Sequence, residues 1–223
     1  MKFLLKIGQH KHIKSLLEIG HLHCETIQYF ASLKDEIWRG DQYEKAFNIE
    51  FFGNAKMYFQ DPKDIHRKCF QINLIKTQFV HSYKNHCGNL FCLYAFDASN
   101  YQLNEPFLPL VDDEMIKLGT HVLLIKDSDE FLKRIERELQ ILNLHSQCDF
   151  IKYLDFSTYT GDKTFFQKDL RFKHQNEVRI WIDNPLPKCL DFKIGSIKDI
   201  AEVFSVKEFK SLSFYKGLNP PSH

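Results

Sequence analysis

The sequence predicts an α+β fold, mixed and without the regular alternation of a doubly wound parallel sheet. Three observations lead there. Strand-like apolar runs outnumber helical patterns, the two kinds do not alternate, and no repeat or low-complexity linker interrupts the 223 residues. A chain of that length fits one domain, so residues 1–223 are expected to form a single unit with a loose tail over 217–223.

Residues 2–7 (KFLLKI) predict a first strand, closed by Gly8. Ile13, Leu16, Leu17 and Ile19 then recur at helical spacing, and Gly20 ends that helix. A second short strand is expected over 21–26, leading through 27–30 into a turn or short helix. Residues 33–45 (LKDEIWRGDQYEK) are polar and turn at Gly40, which predicts a capped surface loop. Strand-like runs follow at 46–52, 56–59, 69–76 and 89–96. The stretch 97–118 reads as irregular, with Pro106, Pro109 and a helical turn over 112–118. Residues 120–125 (THVLLI) are continuously apolar, as a buried strand requires. Asp127 opens the longest predicted helix, with Phe131, Ile135, Leu139 and Leu142 on one face. Further strands are expected at 150–156, 177–183 and 189–194, and a mostly helical segment at 197–209.

Composition narrows the function classes. The 30 basic and 29 acidic residues leave a formal net charge of +1, whereas proteins that grip duplex phosphates usually show a basic excess. Nucleic-acid binding would therefore need a local patch. Two are available: Lys2, Lys6, Lys11 and Lys14 near the start, and Lys163, Lys168, Arg171 and Lys173 just before Glu177. The cysteines (Cys24, Cys69, Cys87, Cys92, Cys148, Cys189) are scattered without a CxxC pair, which predicts reduced core thiols. The opening apolar run, Phe3-Leu4-Leu5, is too short for a signal sequence, and no stretch approaches the ~20 apolar residues of a bilayer span. A cytoplasmic protein without membrane contact is the expectation.

Glycine-rich nucleotide loops and the GxSxG elbow are absent from the sequence. Histidine pairs two apart, His10 with His12 and His21 with His23, share a face if extended. Neither pair has a third and fourth ligand at a recognised spacing, whether Cys24, His66 with Cys69, or His86 and Cys87 with Cys92 is counted, so no metal site is expected. Trp38 to Glu44 gathers Arg39, Asp41 and Glu44 around Gly40; Arg39 can clamp a phosphate there. The strand over 177–183 (EVRIWID) carries the sharpest signal. Val178, Ile180 and Ile182 point one way, and Glu177, Arg179 and Trp181 the other. That second face reads either as a solvent-facing salt bridge or as a carboxylate held rigidly by Arg179 and aimed at a substrate.

Three motifs carry a resemblance: Gly20-His21-Leu22 through Tyr29-Phe30; Arg39-Gly40-Asp41 with Glu44; and Phe165-Phe166-Gln167-Lys168 through Glu177-Val178-Arg179-Ile180. In this order they resemble a group of bacterial and prophage-encoded proteins, and the arrangement looks like a divergent ADP-ribosyltransferase of the toxin or phage-defence kind. The resemblance implies an α+β fold with a mixed, mostly antiparallel two-sheet core and flanking helices. It implies NAD, as substrate, in a cleft between the sheets, with Glu177 bonding the nicotinamide ribose beside Arg179 and supporting an oxocarbenium-like transition state. Tyr29 or Phe30 would stack on nicotinamide, and Lys6, or Gln9 or His10 just after it, would be the first-strand ribose contact. Arg39 or Lys168 would neutralise the pyrophosphate. The implied partners are an acceptor, which is RNA, DNA or protein, and an antitoxin protein. Two other readings remain open: a nucleic-acid-binding or -processing protein without NAD, and a non-enzymatic module of a defence operon.

Overall fold

The computed structural model describes residues 2–33, 40–59, 70–85, 88–97, 106–107 and 111–215. Its first half runs β1 (Lys2–Gly8), α1 (His10–Ile19), β2 (His21–Thr26), α2 (Ile27–Ser32), β3 (Ala46–Phe59), β4 (Phe70–Ser82), β5 (Asn89–Asp97), β6 (Pro106–Phe107), α3 (Asp113–Ile116) and β7 (His121–Ile125). The second half runs α4 (Ser128–Ile141), β8 (His145–Phe150), β9 (Lys152–Leu154), β10 (Gly161–Asp162), β11 (Gln167–Asp169), β12 (Glu177–Asp183), β13 (Leu190–Lys193), β14 (Ala201–Ser205), α5 (Val206–Ser211) and β15 (Phe214–Tyr215). This is a mixed, mostly antiparallel α+β arrangement; among the described residues only β9 and β11 pair in parallel.

An eight-stranded sheet in the order β13-β2-β5-β1-β7-β14, with β12 and then β8 on the other edge of β5, forms the frame. Alternation along β5 sets its two faces. Phe91, Leu93 and Ala95 join Ile13 and Leu16 of α1 and Phe131, Ile135 and Leu139 of α4 in one buried cluster. Tyr94 and Phe96 point the other way, against Leu5, Ile7, Val122, Leu124 and Phe209 of α5. Among the described residues there is also a separate three-stranded sheet, β10-β3-β4. Among the described residues no helix is long and apolar enough to cross a membrane.

Local sequence explains where the expectations hold. Asp127 caps α4 by accepting from the Glu130 N–H at 3.0 Å, and Gly20 ends α1 at φ 63°, a left-handed conformation that favours glycine. Three segments depart from the sequence reading. The runs 46–52 and 56–59 merge into β3, because Gly53 sits inside a long ladder with β4 in which Phe52 pairs Thr77 and Asn54 pairs Ile75. The strand expected at 150–156 is shorter, β9 at Lys152–Leu154, and β8 precedes it unforeseen; His145–Phe150 lacks apolar alternation because it is an edge held by its main-chain pairing to β12. The predicted helix over 197–209 begins only at the Ser205–Glu208 capping box. Its first part becomes β14, since the outer edge of β7 offers unpaired backbone groups that Ala201–Ser205 satisfies.

Candidate functional site

The site begins with a break in strand pairing. β1 pairs the distal half of β5, from Leu5 opposite Tyr94 to Lys2 opposite Asp97, while β2 pairs its other end through Glu25–Leu90 and Thr26–Asn89. Between them, residues 91–93 have no strand partner on that edge among the described residues, although β12 covers the opposite edge without interruption. β1 and β2 therefore diverge, with α1 joining them, and a cavity of about 640 Å³ opens at the split. Lys6, Gln9, Tyr29, Phe30 and Glu177 all line it. Lys6 reaches into the gap, where its Nζ donates to the Cys92 carbonyl at 2.7 Å and lies 4.2 Å from the Phe91 ring centre.

Glu177 enters from the floor. The turn before β12 ends at Asn176, left-handed at φ 37°, whose side chain donates to the Ala95 carbonyl and whose own carbonyl accepts from the Ala95 N–H at 2.8 Å. This clasp sets the register that places Glu177 opposite Tyr94. One Glu177 oxygen accepts from Arg179 Nε at 2.7 Å and the other from Lys168 Nζ at 2.9 Å. Arg179 also forks onto both oxygens of Glu44 at 2.8 and 2.9 Å and donates to the Phe165 carbonyl at 2.6 Å. Lys168, carried by β11, donates in addition to Gln175 Oε1 at 2.7 Å. Glu44 comes from a turn in which Asp41 accepts the Tyr43 N–H at 2.9 Å.

Asp41, Glu44, Glu177, Lys163, Lys168 and Arg179 are all buried. Three carboxylates thus face three cations, a balance that removing charges from water demands. Burial alone would raise the Glu177 carboxyl, but the Arg179 and Lys168 charges together hold it well below the usual carboxylate range. Glu44 is lowered in the same way, burial opposed first by Arg179. Asp41 goes up, from burial and then the Glu44 charge, and its Oδ2 has no hydrogen-bond partner among the described residues. Burial lowers Lys163.

An acid limb in the stability profile follows. Glu44 and Glu177 have folded pKa values below their ordinary 4.5, so the folded state resists protonation that the unfolded chain accepts. Their contribution is complete above that value and is lost as pH falls below it; Asp41, raised, works in the opposite sense. Denaturant midpoints measured from neutral pH down to about pH 3 should fall, and fall less steeply in Glu177→Gln. Identical acid limbs in the two proteins would contradict the charge network.

The structure brings Lys6, Gln9, Tyr29, Phe30, Lys168, Glu177 and Arg179 to one cavity, and it revises several roles. The 177–179 face is neither a solvent-facing salt bridge nor a polar surface: Glu177 is 5% and Arg179 1% exposed, because β11 and the 41–44 turn cover it. Arg179 is spent on Glu44, Glu177 and Phe165, so it is a positioning residue. Lys168, buried against Glu177 and Gln175, holds the carboxylate and is not available to a pyrophosphate. His10 does not line the cavity; it is exposed and stacks on His121 with ring centres 4.3 Å apart. Arg39 lies outside the described residues. The basic patch before Glu177 is halved by the burial of Lys163 and Lys168. Not all cysteines are core thiols: Cys148 and Cys189 are exposed, Cys24 is buried, and Cys69 and Cys87 lie outside the described residues.

Sequence reasoning missed the partnership of Glu44 with Arg179, 135 positions apart. No local signal in the sequence marks it, since the two partners come from a turn and a strand far apart in the chain. His12, His21, His23 and Glu25 also line the cavity. No family model, curated protein or solved structure matches the chain.

Proposed function

We propose that the cavity binds NAD and that the protein transfers ADP-ribose to a macromolecular acceptor in the cytoplasm, with an antitoxin as its protein partner. The observation that supports this best is convergence: residues of the first and third motifs line one cavity at the split of the sheet, around a carboxylate that stays ionised, and Glu44 of the second motif holds Arg179 behind it. A volume near 640 Å³ suits a small-molecule ligand. Tyr29 and Phe30, set edge to face at 5.5 Å, offer rings for a base to stack on.

The state of Glu177 decides which chemistry it suits. A carboxylate held this far below its ordinary pKa is a poor general base at neutral pH. It is well suited to stabilising positive charge that develops in a transition state. Both oxygens retain lone pairs beyond the bonds from Arg179 and Lys168, so a ribose hydroxyl can still donate to them. As the bond from ribose C1′ to nicotinamide breaks, nicotinamide leaves with the electron pair and charge grows on the ribose. An acceptor nucleophile then bonds to C1′ and releases its proton. Arg179 and Lys168 serve by keeping Glu177 ionised and still, and Glu44 by holding Arg179 in place.

The test is incubation with NAD labelled in its adenylate half and cell lysate, followed by measurement of released nicotinamide and of label on protein and on nucleic acid. Wild-type protein should release nicotinamide and label one of the two fractions. No release, or salt-sensitive nucleic-acid binding without release, would overturn the reading in favour of binding alone. Growth arrest on expression that persists unchanged in Glu177→Gln would point to the non-enzymatic reading.

A further inference from the structure

One wall of the cavity carries an array that the proposed chemistry does not use. His21 and His23 lie two apart on β2 and share a face. β13 runs antiparallel beside them, with Asp191 directly opposite His23. His21 Nε2 and His23 Nδ1 lie 2.8 and 2.9 Å from the same atom, Asp191 Oδ1. Cys189 Sγ lies 3.9 Å from the other carboxylate oxygen, Oδ2. The ligand atoms of His23, Cys189 and Asp191 all fall within 4.8 Å of one another.

The second nitrogen of each imidazole is also engaged. Ser15 Oγ lies 3.3 Å from His21 Nδ1, and Glu25 Oε1 lies 3.0 Å from His23 Nε2. Metal-bound histidines show this pattern, one nitrogen for the metal and the other fixed by an outer hydrogen bond that sets tautomer and ring plane. The β13 side is anchored as well. Buried Asn89 donates to the Cys24 carbonyl of β2 and to the Lys188 carbonyl just before Cys189, and accepts from Asn184. The two strands and the thiol are thus held in fixed relation by a group that is not a ligand.

We propose that His21, His23, Asp191 and Cys189 form a binding site for a zinc-class divalent cation in the cavity wall. Two imidazole nitrogens, a carboxylate oxygen and a thiolate are a borderline-soft set of the kind zinc takes in fourfold coordination. Bond lengths of about 2.0–2.3 Å set ligand atoms roughly 3.3–3.8 Å apart in a tetrahedron; His23, Asp191 and Cys189 are already gathered within 4.8 Å, and His21, which bonds Asp191 but lies outside that group, swings toward the cation as the fourth ligand. Binding displaces the Cys189 thiol proton and any proton carried on the nitrogens facing Asp191, and these pass to solvent; no electrons move. Because His21 and His23 line the cavity, the cation would add positive charge where a ligand enters. The site stands whether or not NAD is the substrate.

The experiment is titration of chelator-stripped full-length protein with Zn²⁺ by calorimetry, and with Co²⁺ by absorption spectroscopy. One equivalent should bind. Losing an outer-sphere partner already costs about 10–100-fold in affinity, so His23→Ala and Asp191→Asn should each weaken binding at least that much. Cys189→Ser should remove the thiolate-to-cobalt charge-transfer band, and Cys148→Ser should change nothing. All these side chains are exposed, so the variants are expected to keep the wild-type circular dichroism. Absence of saturable one-to-one binding overturns the site. So does affinity unchanged in both His23→Ala and Asp191→Asn, or a cobalt spectrum unchanged in Cys189→Ser.

Discussion

On the proposed NAD-cleaving reading, Glu177→Gln is expected to lower the rate of nicotinamide release by about 10²–10³-fold, the usual loss when one preorganised electrostatic stabiliser is removed. The amide nearly preserves the shape of the side chain and removes its charge. An interaction made only in the transition state should show in kcat, with KM little changed. The substitution also leaves Lys168 and Arg179 with one fewer anion, so the variant will be less stable. Its rate must therefore be expressed per folded molecule, at a temperature where circular dichroism shows the native state. A lower thermal midpoint with an unchanged kcat would mean that Glu177 only holds the network together.

The largest effect on stability should come from Glu44. It is 1% exposed, as is Arg179, and the pair is bidentate at 2.8 and 2.9 Å. Breaking a buried pair from one side leaves the partner charge without compensation, at a cost of about 3–5 kcal/mol. Glu44→Gln should lose that much in urea denaturation, because its amide N–H groups confront a guanidinium that needs acceptors. Removing both partners is a different case. The double variant Glu44→Gln, Arg179→Met should be more stable than the sum of the single losses predicts, a coupling that a double-mutant cycle measures directly. Additive losses, or a single loss below about 1 kcal/mol, would show that the pair is not held as described.

These two predictions concern residues whose roles the sequence treated unequally. The alternation in EVRIWID placed Glu177, Arg179 and Trp181 on one face correctly, since period two is a local property of an extended chain. Whether that face was wet was not a local question. Trp181 stacks on Phe165 at 5.2 Å, and Phe165 also gives its carbonyl to Arg179. The cover thus comes from the segment that the motif Phe165-Phe166-Gln167-Lys168 marks without explaining. By sequence the turn around Gly40 is surface, because polar residues usually are, but Asp41 and Glu44 are buried because their counter-charges arrive from β11 and β12. The β14 segment departs from its local pattern for a similar reason. Its apolar spacing suits a helix, and the open edge of β7 outweighed that preference.

The sequence by itself determined the local grammar of this protein: the β1-α1-β2 opening closed by left-handed Gly20, the capped helix from Ser128 to Ile141, the buried strand His121–Ile125 and the α+β character. Each follows from periodicity, capping or glycine conformation, which act over a few residues. Tertiary structure alone decided that β5 is shared by β1 and β2 with a gap between them, that Glu44 meets Arg179, and that Asp191 faces two histidines. Strand order and charge pairing join positions far apart in the chain, and their energies come from desolvation and from satisfying backbone groups across the sheet. No short stretch of sequence records those terms.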